Sequence, residues 1–174
     1  NLYRNCVACV DSLVGMVIDK LEYLNMMDNT IIVISGDHGQ EFNDNKKNYW
    51  GHNGNFTRAQ IGVPMLVSEP GKEVDTLTHL TTHYDLCATM LSEHLGVKNT
   101  LTDYSMGKSL SDTTDRGYII VGSHDNFAIL IDGQIHEKRL SGYFESTDSN
   151  LNVLPTEAVD YVKINEILIE MREF

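Results

Sequence analysis

The sequence predicts an α/β fold, and three features of its first half support this. Apolar residues recur every three or four positions between residues 3 and 24, which is typical of an amphipathic helix. Two apolar runs follow, at residues 31–34 and 63–67, and neither alternates with polar residues. Such runs are typical of strands covered on both faces, as in a parallel sheet. We therefore expect a sheet of this kind with flanking helices.

The next element predicted is a second helix. Asp85 is a residue type that favours the N-cap position, and apolar residues follow it at helical spacing. Gly96 is expected to end this helix, since glycine readily adopts the left-handed conformation found just after a helix C-terminus.

The last third of the chain predicts a small antiparallel sheet with a closing helix. Its clearest signal is Asp132-Gly133, which lies between two apolar runs and favours a two-residue hairpin. Helical spacing returns from Thr156 onward. We expect residues 1–115 to form the α/β core, and residues 116–174 to add the small sheet and closing helix to the same domain.

The charge of the chain excludes two classes of partner. Thirteen Lys and Arg residues stand against 25 Asp and Glu, which gives a formal net charge of −12. An acidic chain without a basic cluster is a poor ligand for DNA or RNA, so we expect no nucleic-acid partner. The same argument counts against a polybasic grip on an anionic membrane. The chain opens without Met and inside a helical pattern, and we expect it to be a piece of a longer protein.

The strongest chemical signal is Asp37-His38, between two glycines and directly after the first apolar run. Ligands of open α/β sheets gather at the carboxyl ends of strands. A carboxylate and an imidazole there suit a divalent cation such as Zn²⁺ or Mn²⁺. Gly36 and Gly39 would let the backbone turn tightly around the pair. A capped turn with surface histidines explains the same residues and stays open.

A second histidine, His52, lies in the long polar stretch that follows and is again beside a glycine. Aimed back at the cation, it could bind an oxyanion or protonate a leaving group. Lys46 and Lys47 in the same stretch could neutralise an anionic substrate, or could simply be solvated.

Other candidate ligands are weaker. Cys6 and Cys9 lie inside the apolar pattern of the first helix, which favours a packing role over a metal or redox role. His79 and His83 have the spacing of a helical chelate, but their threonine-rich surroundings favour a strand or a loop.

Four blocks of the sequence, in the same order, resemble the sulfatase branch of the alkaline phosphatase superfamily. They are residues 3–15, 28–39, 63–67 and 84–91. Within that superfamily, residues 36–44, 50–53 and 105–110 are most similar to the YejM/PbgA type of inner-membrane protein.

The resemblance implies an alkaline-phosphatase-like sheet and a role for three residues. Asp37 and His38 match the family's metal ligands, for Zn, Mn, Mg or Ca, and His52 matches a position that holds a substrate phosphate or a second metal. The family's nucleophile lies upstream of these blocks, and no residue of this chain matches it. The fragment alone is therefore expected to be inactive.

The resemblance also implies a substrate and a location. We expect the parent protein to be a metal-dependent hydrolase that cleaves a sulfate or phosphate ester, with a lipid ester as one candidate substrate. We expect it to be held in the bacterial inner membrane by another region and to face the periplasm. Two alternatives stay open: a phosphoethanolamine or phosphoglycerol transferase, and a non-catalytic lipid-binding envelope regulator on a sulfatase scaffold.

Overall fold

A computed structural model describes residues 2–173, which divide into two compact units. The first unit comprises residues 2–37 and 63–76, and the second comprises residues 38–62 and 77–173. Helices and strands both occur, as the α/β class predicts. In chain order they are α1 (Leu2–Tyr23), β1 (Ile32–Ser35), β2 (Glu41–Phe42), β3 (Trp50–Gly51), α2 (Arg58–Ile61), β4 (Met65–Ser68), α3 (His83–Thr89), β5 (Ile119–Gly122), β6 (Phe127–Ile131), β7 (Gln134–Lys138), β8 (Phe144–Asp148) and α4 (Tyr161–Glu170).

The first unit contains α1 and the pair β1–β4, all three at the predicted places. The two strands run antiparallel, with Ile32 opposite Ser68, so the expectation of a parallel arrangement is wrong for this pair. Each strand alternates between partly buried and exposed residues, and Val33 and Leu66 are exposed. An uninterrupted apolar run indicates the tendency to be buried but carries no information on strand direction, which depends on the partner strand.

The apolar stripe of α1 is exposed in this structure. The helix forms where the 3.6-residue periodicity predicts it, yet none of its described residues is buried. Val10 and Val17 keep 59% and 60% of their surface exposed. The apolar periodicity therefore predicts the helix correctly, but the residues of the stripe form no buried core in the first unit.

Helix α3 of the second unit starts at a different residue from the predicted one. Thr82, and not Asp85, is the N-cap; Asp85 is the third helical residue, and its carboxylate accepts a hydrogen bond from the Thr82 backbone N–H at 2.7 Å. This reciprocal arrangement is a capping box. The chain continues from α3 as a π-helical turn over Met90–His94, and Gly96 follows with a φ of +67°, the stop that the sequence predicts.

Asp85 is also the centre of a buried ion pair. Its side chain is 1% exposed and accepts hydrogen bonds from the Arg116 guanidinium and, at 3.0 Å, from the Lys108 backbone N–H. Because both partners lie far along the chain, the carboxylate fixes the irregular segment after α3 against the start of that helix.

The four strands β5 to β8 form an antiparallel sheet in sequence order. The hairpin at Asp132-Gly133 is confirmed, with φ values of +50° and +79° that suit a tight turn between β6 and β7. The sequence analysis missed β8, because Phe144–Asp148 is mostly polar and lacks a strand signal.

The two faces of this sheet are covered by different parts of the second unit. On one face, Ile129 and Ile131 pack with Ile164 and Ile167 of α4. The opposite face carries Ala128 and Ile135, which pack with Phe56 from the polar stretch between β3 and α2. The predicted boundary between residues 115 and 116 stays a prediction. Among residues 2–173, no helix has both the length and the apolar character required to cross a membrane.

Candidate active site around the Asp-His-Gly segment

The Asp-His-Gly segment follows β1 directly. At the end of that strand, the Ser35 hydroxyl donates a hydrogen bond to the Pro64 carbonyl at 3.0 Å, which closes β1 against the residue just before β4. Asp37 and His38 come next, and both are exposed. The predicted ligand pair thus stands at the carboxyl end of a strand and is open to solvent.

Position 39 requires glycine because another backbone segment lies very close to it, and not because of an unusual backbone angle. Its N–H donates to the Gln60 carbonyl at 2.7 Å. A Cβ at this position would lie 2.3 Å from the Ala59 carbonyl oxygen, which is far inside van der Waals contact. Any side chain would therefore push the Asp-His-Gly segment away from α2.

His38 and His52 form a stacked pair. Their ring centroids are 3.9 Å apart and the ring planes meet at 24°. Both side chains are exposed at the surface. His38 Nδ1 lies 2.9 Å from the Gly39 carbonyl. Since a carbonyl can only accept, Nδ1 is the donor in this contact. The structure thus brings together two of the three predicted site residues.

The segment between the two histidines is an ordered hairpin, although the sequence indicated only a long polar loop. β2 and β3 pair with Phe42 opposite Trp50, and both aromatic side chains are largely exposed. The turn is held by side-chain contacts to backbone, including the Asn43 carbonyl oxygen Oδ1, which accepts from the Asn48 N–H at 2.7 Å. Lys46 and Lys47 lie in this turn and are exposed; Lys47 Nζ donates to Asn152 Oδ1 at 3.1 Å, just after β8.

The small C-terminal sheet packs against the segment that follows His52. Phe56 lies four residues after His52, is 4% exposed, and packs against Ala128 and Ile135 of the sheet. Sequence analysis placed the sheet in the same domain but gave it no part in the site, because nothing in its own residues indicates chemistry. The one available signal was Phe56, an apolar residue within a stretch rich in Asn and Gly, which indicates that the loop packs against other apolar residues.

Metal ligation is only partly accounted for by these residues. Asp37 offers a carboxylate and His38 an imidazole nitrogen, which are suitable donors for Zn²⁺ or Mn²⁺. Within the part of the chain that is described, no group of three His, Cys, Asp or Glu side chains is arranged to hold a metal ion. A catalytic zinc site takes three protein ligands, so the described residues do not complete one.

The other histidine pair does not form a chelate. α3 begins at His83, so His79 lies outside the helix on which the two would have to share a face. His79 Nε2 instead lies 3.0 Å from the Leu110 carbonyl. His79 therefore contacts the segment after α3, in agreement with a structural role.

The family model for sulfatases matches residues 1–97. The chain belongs to the sulfatase family. This match covers α1, the β1–β4 pair, the stacked histidines and α3, and it ends before the four-stranded sheet.

Relatives of this sulfatase-family chain occur among curated bacterial proteins. An uncharacterized protein of Haemophilus influenzae is 28% identical over 147 residues, which is 81% of this chain and 23% of the relative. The inner membrane protein YejM of Salmonella typhimurium is 18% identical over 173 residues, which is 99% of this chain and 29% of the relative. The chain thus spans about a quarter of the length of these relatives.

A solved structure from work on glycosaminoglycan metabolism by Bacteroides thetaiotaomicron has a similar fold. It superposes with a TM-score of 0.59 at 17% identity, over 96% of this chain and 42% of that one. The similarity extends past the residues of the family match, so the fold agrees with the sulfatase assignment over nearly the whole chain.

Proposed function

We propose that the protein is part of a metal-dependent sulfatase-family hydrolase of the bacterial envelope, which cleaves a sulfate or phosphate ester. The observation that carries this proposal is the stack of His38 and His52. Two histidines from separate segments meet at one exposed point beside a close-packed glycine, where imidazole nitrogens could bind an anionic group.

His52 is the residue to which we assign a catalytic role. Among the described residues its ring nitrogens make no hydrogen bond, and the side chain is exposed. An imidazole so placed can donate to an ester oxygen, stabilise charge that develops on it, and pass a proton to the leaving group. Lys46 is exposed in the adjacent turn and adds positive charge on the same hairpin.

Asp37 and His38 are the residues to which we assign metal ligation. Proteins of the sulfatase fold generally use a metal ion, which would act there as a Lewis acid on an ester oxygen. These two residues supply part of a donor set. The metal's identity is left open among Zn, Mn, Mg and Ca.

The location of the protein is proposed from its relatives. YejM is described as an inner membrane protein. We place this protein at the periplasmic face of the bacterial inner membrane, where the ester could belong to a lipid.

The proposal is tested by ester hydrolysis with the full product of the gene. Aryl sulfate and aryl phosphate esters are offered to the wild type, to His52→Ala and to Lys98→Ala, a control at an exposed position of the same unit. We expect turnover of at least one ester class by the wild type and the control, and a loss of about 100-fold or more in His52→Ala, which is the usual contribution of a general acid or base. Equal rates in all three would refute the role of His52.

A non-catalytic envelope module is the second candidate. It is favoured by the incomplete donor set among the described residues. Under this alternative the wild type hydrolyses neither ester and the Asp37→Ala variant keeps its cellular role. A transferase would instead consume the ester only when an acceptor alcohol is added, so omission of the acceptor separates it from a hydrolase.

A further inference from the structure

Glu41 is a fully buried acidic residue next to the candidate site. Its side chain is 0% exposed, although glutamate is rarely buried without a partner. One carboxylate oxygen, Oε2, accepts hydrogen bonds from Asn55 Nδ2 at 2.8 Å and from Gln60 Nε2 at 2.6 Å. Asn55 and Gln60 are themselves buried. The three side chains form a closed polar cluster, here called the Glu41 cluster.

The Glu41 cluster connects both ends of the segment that carries the histidines. Glu41 lies three residues after His38, and its backbone is paired in β2–β3 with Gly51, the residue before His52. On the other side, Gln60 Oε1 accepts from the Gly54 backbone N–H at 2.8 Å. For each histidine, a residue at most three positions away is therefore held by the cluster, either by a hydrogen bond or by strand pairing.

A second set of bonds makes the cluster rigid. The Gln60 carbonyl accepts the Gly39 N–H at 2.7 Å, which ties the backbone next to His38 to α2. Asn55 Oδ1 accepts from both the N–H and the hydroxyl of Thr57, at 2.9 and 2.7 Å. Each amide side chain is therefore used by its oxygen as well as by its nitrogen, which fixes its orientation and leaves it little freedom to move.

The other carboxylate oxygen of Glu41 takes no part in this cluster. Oε1 is buried and has no hydrogen-bond partner among the described residues. A buried acceptor oxygen without a partner destabilises the folded state. The bonds of Oε2 are therefore the ones that can give Glu41 a role in the cluster.

We infer that Glu41 is a positioning residue, whose Oε2 acceptor holds the segments on either side of the hairpin together and thereby keeps His38 and His52 stacked. Its importance for ester chemistry rests on the proposed function, but its effect on the histidine geometry does not. The role depends on where the acceptor oxygen stands and not on the charge.

The test compares two mild substitutions of opposite kind. Glu41→Gln keeps an acceptor oxygen at the same reach and removes the charge, whereas Glu41→Asp keeps the charge and withdraws the acceptor by one methylene. The readout is the ring-current shift of the His38 and His52 carbon-bound protons in the NMR spectrum, which a stacked pair at this distance produces. Thr89→Val, which removes a buried hydroxyl bonded to the Asp85 carbonyl in α3, is the control for loss of a buried hydrogen bond elsewhere.

We expect wild-type ring-current shifts in Glu41→Gln and in Thr89→Val, and shifts reduced by about half or more in Glu41→Asp, with the amide spectrum of the four-stranded sheet unchanged in all three. The inference is overturned if Glu41→Asp retains the stacked signature, or if Glu41→Gln loses it. These outcomes are independent of turnover: a stack that responds as expected in a protein that cleaves no ester refutes the proposed function alone. A stack that does not respond, in a protein that cleaves esters, refutes this inference alone.

Discussion

The two compact units differ in what their apolar residues do. In the first unit, with α1 and the β1–β4 pair, no described residue is buried. In the second unit, two apolar clusters cover opposite faces of the four-stranded sheet, and buried polar residues such as Glu41 and Asp85 add to them. Apolar periodicity predicted α1, β1 and β4 in the first unit and β6, β7 and α4 in the second, but not β8. It did not distinguish an apolar stripe that is packed from one that is exposed.

The difference between the two units explains why the candidate site is rigid. The stacked histidines and the hairpin between them belong to the second unit, and Phe56 anchors them on the sheet. Substitutions that disturb this unit should therefore have large effects, whereas matched substitutions in the first unit should have small ones.

The largest effect is expected from breaking the buried ion pair of the second unit. Arg116→Met leaves the Asp85 carboxylate buried without its cation, which costs about 3–5 kcal/mol. The matched change in the first unit is Lys72→Met, whose lysine pairs with Glu69 but is 58% exposed. Surface pairs contribute about 0–1 kcal/mol. Urea unfolding followed by circular dichroism measures both; equal losses would break the comparison between the units.

The next effect comes from truncating apolar side chains. Ile164→Ala in α4 opens a cavity in the core of the second unit and should cost about 2–5 kcal/mol. Val17→Ala in α1 removes methyl groups that are already exposed, and should change the free energy of unfolding by less than about 1 kcal/mol. The same unfolding experiment applies. A large loss in Val17→Ala would mean that the α1 stripe is packed in solution.

Glycine-to-alanine changes should have opposite signs in the two units. At Gly39 a Cβ would collide with the Ala59 carbonyl oxygen, and forcing it in should cost about 1–3 kcal/mol. At Gly15, inside α1, nothing lies within 4 Å of the added atom. There alanine should stabilise by about 0.5–1 kcal/mol because it favours the helix. Thermal unfolding of the two variants tests the signs, and the same sign in both would contradict the account.

The smallest effect is a pH dependence from a buried histidine of the second unit. His136 is buried, accepts or donates a hydrogen bond at 2.8 Å with Ser146, and burial lowers its pKa below the ordinary 6.5. The unfolded chain therefore binds a proton at a higher pH than the folded chain does. Stability from this residue is fully present above pH 6.5 and falls as the pH is lowered toward the folded pKa.

His136→Gln should flatten that part of the stability profile, which denaturant titrations between pH 7 and pH 5 would measure. His124→Gln, at an exposed histidine of the same unit, is the control and should leave the profile unchanged. A wild-type slope that persists in His136→Gln would assign the pH dependence to another group.

Much of the fold follows from the sequence, and the reasons for the failures are physical. α1, the hairpin at Asp132-Gly133 and the stop at Gly96 depend on local periodicity or on backbone angles, so they were predictable. The antiparallel pairing of β1 with β4 depends on a partner distant in sequence, which local patterns do not encode. β8 pairs with the neighbouring β7, but its mostly polar residues carry no strand signal of their own.

For the site, the sequence indicated correctly that His38 and His52 are neighbours in space. Each of the two histidines stands beside a glycine, and His38 follows a predicted strand. It missed Glu41, since a glutamate in a stretch rich in Asn and Gly is normally solvated. Its burial depends on amide groups 14 and 19 positions away, at Asn55 and Gln60.

The measurement that tests the central claim most directly is the divalent metal content of the full gene product, determined by elemental analysis. The wild type, His38→Ala and the control His94→Ala would be purified side by side without added chelator. The account predicts about one metal ion per chain in the wild type and the control, and its loss in His38→Ala. No metal in the wild type, or equal metal in all three proteins, would contradict a metal-dependent hydrolase site at Asp37 and His38.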